Sequence, residues 1–378
     1  GVVVSQYIGA DKKDKIKISV HTSICISIIL GLILSLLGIF ASPSLLIMMK
    51  TPKVVLKSSI LYLQIYCGGL IFNVIYNMAT GILNAAGNSK KPLVYLAIAS
   101  FTNIILDLLF IKIFKLGVMG AAIATDISQA ISCILAIGYL LKVKSDYKLY
   151  IKDLKINKET AVKIIKIGLP TAIQNMVISF SNVLVQSSVN AYGATAMAGY
   201  AAYLKIDGFN ILPVLSISMA VTTFTGQNVG ANRLDRVKKG MYSSLIMVLV
   251  YTIFIGAVLL IFSHQVLGLF THSAQVIMYG QLAMKYFCPY YFLLGILNVL
   301  AGTVRGAGKG IPPMIILLFS MCIFRILWIK IALPFYSSID GVFILYPISW
   351  LVGAILMILY TKFGKWLPHK QMEKKENS

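Results

Sequence analysis

The chain of 378 residues is 58% hydrophobic and only 12% charged, and its mean hydropathy is +0.85. A soluble domain cannot keep that much apolar surface away from water, so this composition excludes one. The formal net charge is +22. Because the lysines and arginines cluster between long apolar blocks, this charge is typical of membrane topology signals and argues against a nucleic-acid partner.

The apolar blocks are long enough to cross a bilayer, which requires about 20 residues of helix. Lipid offers no partner to open backbone groups, so each block is predicted to be helical. In chain order the ten blocks are 18–40, 57–80, 92–111, 118–141, 169–191, 199–224, 241–263, 279–302, 312–333 and 341–361. Residues 1–8 resemble the end of an eleventh helix. The sequence therefore predicts an all-α polytopic membrane protein.

Basic residues alternate between the two sets of connections that join these blocks. One set holds 25 lysines and arginines, and the opposite set holds six. The richer set is predicted to face the cytoplasm. This assignment places the C-terminus in the cytoplasm and the protein in a bacterial-type plasma membrane.

The longest basic stretch lies in the middle of the chain and is too polar to span a membrane. It predicts a cytoplasmic linker, ending in a surface helix, at residues 142–167. The linker separates an N-terminal lobe, residues 1–141, from a C-terminal lobe, residues 168–364, and residues 365–378 form a predicted cytoplasmic tail.

The two lobes carry an internal repeat with a constant spacing of 221 residues. The similar pairs are 6–17 with 227–238, 81–92 with 302–313, and Gly120 with Gly341. A shared spacing at three separate places indicates gene duplication. The counterparts of residues 168–221 would precede residue 1, so we expect roughly 54 residues, one helix and most of a second, to be missing from a twelve-helix protein. Substrate is expected between two lobes of like orientation.

Six kinds of motif occur in a characteristic order along almost the whole chain. They are Gln-x-x-Gly-Ala ending at Ala10 and again at Ala231, Gly87–Pro92, Asn103–Asp107, Gly117–Thr125, Gly168–Thr171 and Arg305–Gly308. In this order they resemble the multidrug and toxic compound extrusion (MATE) family of cation-coupled efflux transporters. The resemblance implies two pseudo-symmetric helix bundles. It also implies a functional acidic residue on the first helix, which this chain lacks.

An ionisable side chain inside the hydrocarbon core costs several kcal/mol and usually has a partner or a function. Asp107 lies well inside its block, and Asn103 is four residues earlier on the same helical face. With the Thr125 hydroxyl and the Ala121 carbonyl of the next helix, they offer oxygen ligands for Na⁺ or a site for H⁺. The resemblance to the MATE family implies the same cation site, because some family members bind the coupling cation with this pattern. The alternative is a satisfied hydrogen-bond network between helices.

Further polar residues within the apolar blocks are candidates for a substrate cavity. They are Asp126, Lys205, Asp207, Gln174, Asn175 and Asn182. Asp126 either lines the cavity or pairs with a neighbour. Asp207 either attracts cationic compounds or pairs with Lys205, Lys285 or Arg325. The amides on the helix after Gly168 either line a cavity or join helices.

The resulting functional prediction is an antiporter driven by Na⁺ or H⁺ that exports amphipathic, often cationic compounds by rocker-switch alternating access. A lipid-linked oligosaccharide flippase is the alternative, and it should carry a strongly cationic cavity. An enzyme is disfavoured because no nucleophile motif, phosphate loop or metal cluster is present, and the five cysteines are interpreted as packing residues. We expect no cofactor, and we expect a monomer whose partners are its substrates and the lipid bilayer.

Overall fold

A computed structural model describes residues 1–49, 51–336 and 338–367. The predicted tail, residues 365–378, therefore lies mostly outside the described residues. Within the described part there is no β-strand, and ten helices are long and apolar enough to cross a membrane. Their bounds are Lys13–Met48, Lys53–Ala85, Lys90–Ile113, Gly117–Lys142, Lys158–Asn190, Ala194–Gly230, Leu234–Ile261, Ala274–Gly306, Ile311–Phe335 and Asp340–Phe363. All ten predicted spans are confirmed.

The chain divides into two compact units, and the first runs from Val3 to Ile164. Its helices are α1 (Val2–Gly9), α2 (Lys13–Met48), α3 (Lys53–Gly68), α4 (Leu70–Ala85), α5 (Lys90–Leu108), which continues as a wider π-helical turn over Leu109–Ile113, and α6 (Gly117–Lys142). Helix α2 packs on α3 and α4, and α6 packs on α3, α4 and α5. Fully buried Val20, Ile82 and Leu140 lie in the core between these helices.

The second unit begins at Ile165, shortly after the start of α7. Its helices are α7 (Lys158–Asn190), α8 (Ala194–Gly230), α9 (Leu234–Ile261), α10 (Ser263–Gly268), α11 (Ala274–Phe287), α12 (Tyr291–Gly306), α13 (Ile311–Leu318), α14 (Phe324–Leu327), α15 (Asp340–Phe343) and α16 (Leu345–Phe363). Helix α12 lies centrally, against α8, α9 and α16. The buried core includes Phe287, Leu297 and Phe343.

The helix ends confirm the internal repeat, because they recur at the same spacing of 221 residues. The matching starts are Lys13 with Leu234, Lys53 with Ala274 and Lys90 with Ile311, and the matching ends are Ala85 with Gly306 and Lys142 with Phe363. The turns match as well. Gly87 and Gly308 have φ values of +78° and +89°, in the left-handed region that glycine adopts without a steric penalty.

The polar stretch between the units differs in one respect from the expected linker. The surface helix predicted at its end is the beginning of α7, which starts at Lys158 and continues into the membrane span. The side-chain oxygen of Asn157 accepts a hydrogen bond from the Thr160 amide at 3.0 Å, so Asn157 caps the helix start. Residues 143–157 are otherwise irregular, apart from one short 3₁₀ turn at Ile151–Asp153.

Candidate functional site

The first unit places Asn103 and Asp107 one turn apart on α5, near its junction with the π-helical turn. Oδ1 of Asp107 and Nδ2 of Asn103 are both buried, and neither has a hydrogen-bond partner among the described residues. A buried polar atom without a partner is costly and rare in folded proteins. The acceptor oxygen of Asp107 is thus suited to a proton or a small cation.

The remaining two residues of the predicted cation site lie on α6, which packs against α5. The Thr125 hydroxyl donates to the Ala121 carbonyl at 2.9 Å, so its oxygen lone pairs remain able to accept. Each helix therefore brings its own two residues together. The two pairs carry carboxylate, amide, hydroxyl and carbonyl oxygens, which are ligands of hard cations.

Asp126 is directed to a helix break on a different neighbour. Helices α3 and α4 meet at Gly69, and a Cβ atom built on Gly69 would lie 2.1 Å from Oδ1 of Asp126. Only a residue without a side chain leaves room for this carboxylate. One turn along α6, the Gln129 side chain accepts a hydrogen bond from Asn73 at 3.2 Å. Asp126 was predicted either to line a cavity or to pair with a neighbour. The structure places its carboxylate against the backbone of Gly69.

The second unit contains a cavity of about 370 Å³ whose walls are largely aromatic. Its lining residues are Asn182, Val183, Gln186, Tyr200, Tyr203, Leu204, Asp207, Phe287, Tyr346 and Trp350. Asp207 accepts hydrogen bonds from Tyr203 at 3.1 Å and from Tyr291 at 2.9 Å. The cavity thus combines aromatic faces with one carboxylate whose position is fixed by two phenols.

Lysine does not neutralise Asp207 in the described part of the chain, where its carboxylate contacts are the two tyrosines. Lys205 points elsewhere, with its ammonium 5.6 Å from the centre of the Phe270 ring. Lys205, Gln174 and Asn175 are not among the described residues that line this cavity. Of the candidate cavity residues in this unit, Asp207 and Asn182 line it.

Arg325 lies behind the cavity and is 2% exposed. Its Nε donates to Ser349 at 3.1 Å, and one terminal nitrogen donates to Oδ1 of Asn182 at 3.0 Å. The guanidinium lies 4.4 Å from the centre of the Tyr346 ring, in cation–π contact. A buried guanidinium that uses its donors in this way orients Asn182 and Tyr346 in the wall.

The sequence did not identify Tyr203 and Tyr291 as the partners of Asp207. Tyr203 precedes Asp207 by four residues, so their shared helical face is a signal that could have identified it. Tyr291 is the first residue of α12 and belongs to an aromatic-rich stretch, residues 286–292, which gives no indication of which ring contacts Asp207. No group of three or more potential metal-ligating His, Cys, Asp or Glu side chains occurs within the described ranges.

Comparisons with known proteins agree on one family. The sequence profile of the MatE family matches residues 1–109 and 170–329. The probable multidrug resistance protein YoeA of Bacillus subtilis is 29% identical over 379 residues, which cover 96% of this chain and 80% of the relative. A FAD transporter of Shewanella oneidensis is 26% identical over 349 residues, covering 90% of this chain and 75% of the relative.

The fold also matches solved structures. One is the outward-facing conformation of a multidrug resistance MATE family transporter of the MOP superfamily, with a TM-score of 0.89 at 23% identity. The match covers 96% of this chain and 81% of the solved one. The two bundles of helices inferred from the repeat are therefore those of a known transporter fold.

Proposed function

Because the chain belongs to the MatE family, and is therefore a transporter and not an enzyme, we propose that it is a cation-coupled antiporter that exports amphipathic, often cationic compounds. The general activity, efflux of drug-like compounds across a membrane, agrees with the names of its multidrug relatives. The coupling ion and the residues that hold it are the specific part of the proposal.

The observation that carries the coupling is the buried carboxylate oxygen of Asp107 in the first unit, which has no hydrogen-bond partner among the residues that the structure describes. A buried carboxylate that is ionised needs a nearby cation, and one that is neutral must carry a proton. We assign Asn103, Thr125 and the Ala121 carbonyl as its companions, since they offer neutral oxygen atoms on the same and the neighbouring helix. This set accepts Na⁺ or H⁺ without a further cofactor.

The aromatic cavity of the second unit supports the substrate part of the proposal. Planar cations are attracted by aromatic faces and by a nearby carboxylate, and both are present around Asp207. Transport follows if the ion at Asp107 and the substrate prefer different states of an alternating-access cycle, since only a difference in affinity shifts the balance of states.

The charge of the cavity favours efflux of cations over flipping of an anionic lipid-linked sugar. Its described lining contains neither lysine nor arginine, and Arg325 behind it is already engaged by Ser349 and Asn182. A diphosphate would meet the Asp207 carboxylate directly, while the guanidinium of Arg325 lies behind the cavity wall with hydrogen bonds to Asn182 and Ser349. By the same reasoning, an anionic nucleotide such as the FAD carried by the Shewanella relative fits this cavity poorly.

The protein is multi-pass, with ten apolar helices in the described ranges. We propose that it acts as a monomer in the plasma membrane, with the lysine-rich linker and the C-terminus in the cytoplasm, because positively charged loops remain on that side.

The decisive test is Asp107→Asn in the full chain reconstituted in liposomes. A carboxamide keeps the size of the group but neither binds H⁺ nor balances Na⁺ in the same way, so ion-driven export of a fluorescent cationic dye should fall to the level of empty liposomes. Asp235→Asn, at an exposed carboxylate 3.7 Å from Arg233, is the matched control and should export normally. Undiminished ion-driven export by Asp107→Asn would falsify the assignment.

A further inference from the structure

A second cavity lies in the first unit, at the start of α2 and beneath the linker. Its volume is about 410 Å³, and it is lined by Lys17, Ile18, His21, Asp153, Lys155, Ile156 and Asn157. Lys17 and Ile18 stand where the polar end of α2 gives way to its apolar, membrane-spanning part. The cavity therefore lies at one edge of the membrane, away from the candidate cation residues on α5 and α6.

The floor of this cavity is built by a buried histidine. His21 is 2% exposed, and its Nδ1 lies 2.7 Å from the Lys17 carbonyl. Its Nε2 accepts a hydrogen bond from the Tyr150 amide at 3.0 Å, which fixes the neutral tautomer with the proton on Nδ1. Both ring nitrogens are thus occupied, and His21 holds the linker in place without a free donor for a ligand.

The next residue of α2 anchors the far side of the cavity. The Thr22 hydroxyl donates to the Lys155 carbonyl at 3.4 Å and accepts from the Asn157 amide at 3.1 Å. These contacts fix the backbone of Lys155 while its side chain remains exposed. The cavity wall is therefore held by buried polar side chains of a membrane helix, although the chain above it is irregular.

The groups around the cavity carry an excess of positive charge. The ammonium groups of Lys17 and Lys148 lie 4.9 and 5.1 Å from the centre of the Tyr150 ring, and Lys155 lines the cavity itself. The Asp153 carboxylate pairs with Lys17 at 2.6 Å, and Asp14 on the same helix also acts on Lys17. The charged lining residues Lys17, Lys155 and Asp153 carry a net charge of +1. Lys155 forms no ion pair with any residue that the structure describes.

Two isoleucines distinguish a lipid from a free anion as the occupant. Ile18 and Ile156 line the same cavity and are 36% and 43% exposed. An inorganic anion gains nothing from these apolar side chains, whereas the glycerol backbone and upper acyl chains of a lipid would cover them. Lysines at a membrane edge attract anionic headgroups. We propose that this cavity binds the phosphate headgroup of an anionic phospholipid from the adjacent leaflet.

The second unit provides an internal control for the proposal. Lys238 on α9 occupies the position equivalent to Lys17, and Tyr242 occupies the position equivalent to His21. Tyr242 is 60% exposed, in contrast to the buried His21. The lysine is thus repeated, while the buried anchor that holds a linker over the helix start is not.

The test is lipid retention by the full chain, measured by native mass spectrometry after extraction from nanodiscs of phosphatidylcholine with a rising fraction of phosphatidylglycerol. Wild type should retain one phosphatidylglycerol that Lys155→Gln holds about fivefold more weakly, the effect expected for one lysine near an anionic surface. Lys238→Gln removes one lysine at the counterpart of Lys17 in the second unit, where no buried histidine anchors a linker, and should retain lipid like wild type. Equal melting temperatures show that each variant is folded.

Three results would overturn the proposal. Equal weakening by Lys155→Gln and Lys238→Gln would indicate general attraction to the basic surface. Equal retention of phosphatidylcholine and phosphatidylglycerol would show that headgroup charge is not recognised. Complete displacement of the lipid by millimolar inorganic phosphate would identify a site for free anions. None of these results depends on the coupling ion, so the proposal stands or fails separately from the assignment of Asp107.

Discussion

The two units share one scaffold and differ in the chemistry that they carry at equivalent positions. Asp107 in the first unit corresponds to Trp328 in the second, and Thr125 corresponds to Tyr346. The first unit leaves the Asp107 carboxylate oxygen without a hydrogen-bond partner in the described part, whereas the second surrounds its carboxylate, Asp207, with phenol donors. Duplication thus preserved several helix ends and turns, while the interior side chains diverged, because the counterparts of Asp107 and Thr125 in the second unit are aromatic.

The same comparison holds for the broken helix in each unit. In the first unit the break falls at Gly69, between α3 and α4. In the second it falls over Cys288–Tyr290, one 3₁₀ turn that contains Pro289. Pro289 breaks the helix by lacking a donor, while Gly69 leaves room for the approaching Asp126. The two units therefore break this helix at equivalent positions, but the residue at the break differs between them.

The largest expected effect concerns Asp207, the carboxylate that is proposed to attract the cationic substrate. Asp207→Asn should weaken binding of a monocationic dye about 10- to 100-fold, because a charge-assisted contact is worth about 1.5–3 kcal/mol. Binding of an uncharged substrate of similar shape should change little. Dye titration by fluorescence on the purified protein measures both. Lys205→Gln, two residues away and directed to Phe270, is the control. Equal losses for charged and uncharged ligands would contradict a role for charge.

A smaller effect is expected at the glycine break. Gly69→Ala places a methyl group against Asp126 and should destabilise the protein by about 1–3 kcal/mol, as overpacking does. Thermal unfolding in detergent measures this change. The neighbouring Gly68→Ala meets only the Ile39 Cδ1 atom at 4.0 Å and should be nearly neutral. Adding Asp126→Ala to Gly69→Ala should restore part of the loss. If the double variant is no more stable than Gly69→Ala, the contact is not the cause.

The smallest expected effect concerns the linker that lies over the start of α2 in the first unit. The hydrogen bond from Lys17 lowers the pKa of Asp153 below its ordinary value of 3.8. The folded state therefore favours the charged carboxylate. The stabilisation is complete above pH 3.8 and is lost as the pH falls through the lowered pKa.

Amide hydrogen exchange of residues 143–157, corrected for the intrinsic pH dependence, should accelerate slightly over that acidic range. Asp153→Asn should remove the step and exchange at one corrected rate throughout. The effect should be small because both side chains of this ion pair are exposed. An unchanged step in Asp153→Asn would assign it to a different carboxylate.

The sequence by itself determined the membrane spans, the duplication and the family. A span is a local property, because lipid demands a run of apolar residues and a helical backbone wherever the run occurs. The repeat was visible because turn glycines such as Gly87 and Gly308 are fixed by backbone conformation. The pairing of Asn103 with Asp107 was also predictable, since residues four apart share a helix face.

Tertiary structure decided which polar side chains have partners. Tyr291 and Asp207 lie 84 residues apart in sequence, and Tyr150 and His21 lie 129 apart, yet each pair is joined by a hydrogen bond. Helical periodicity gives the face of each residue but not the neighbour that this face meets. Packing between distant helices sets those neighbours, and it therefore decided that Asp207 lines an aromatic cavity, that Asp126 approaches Gly69 and that the linker closes over α2.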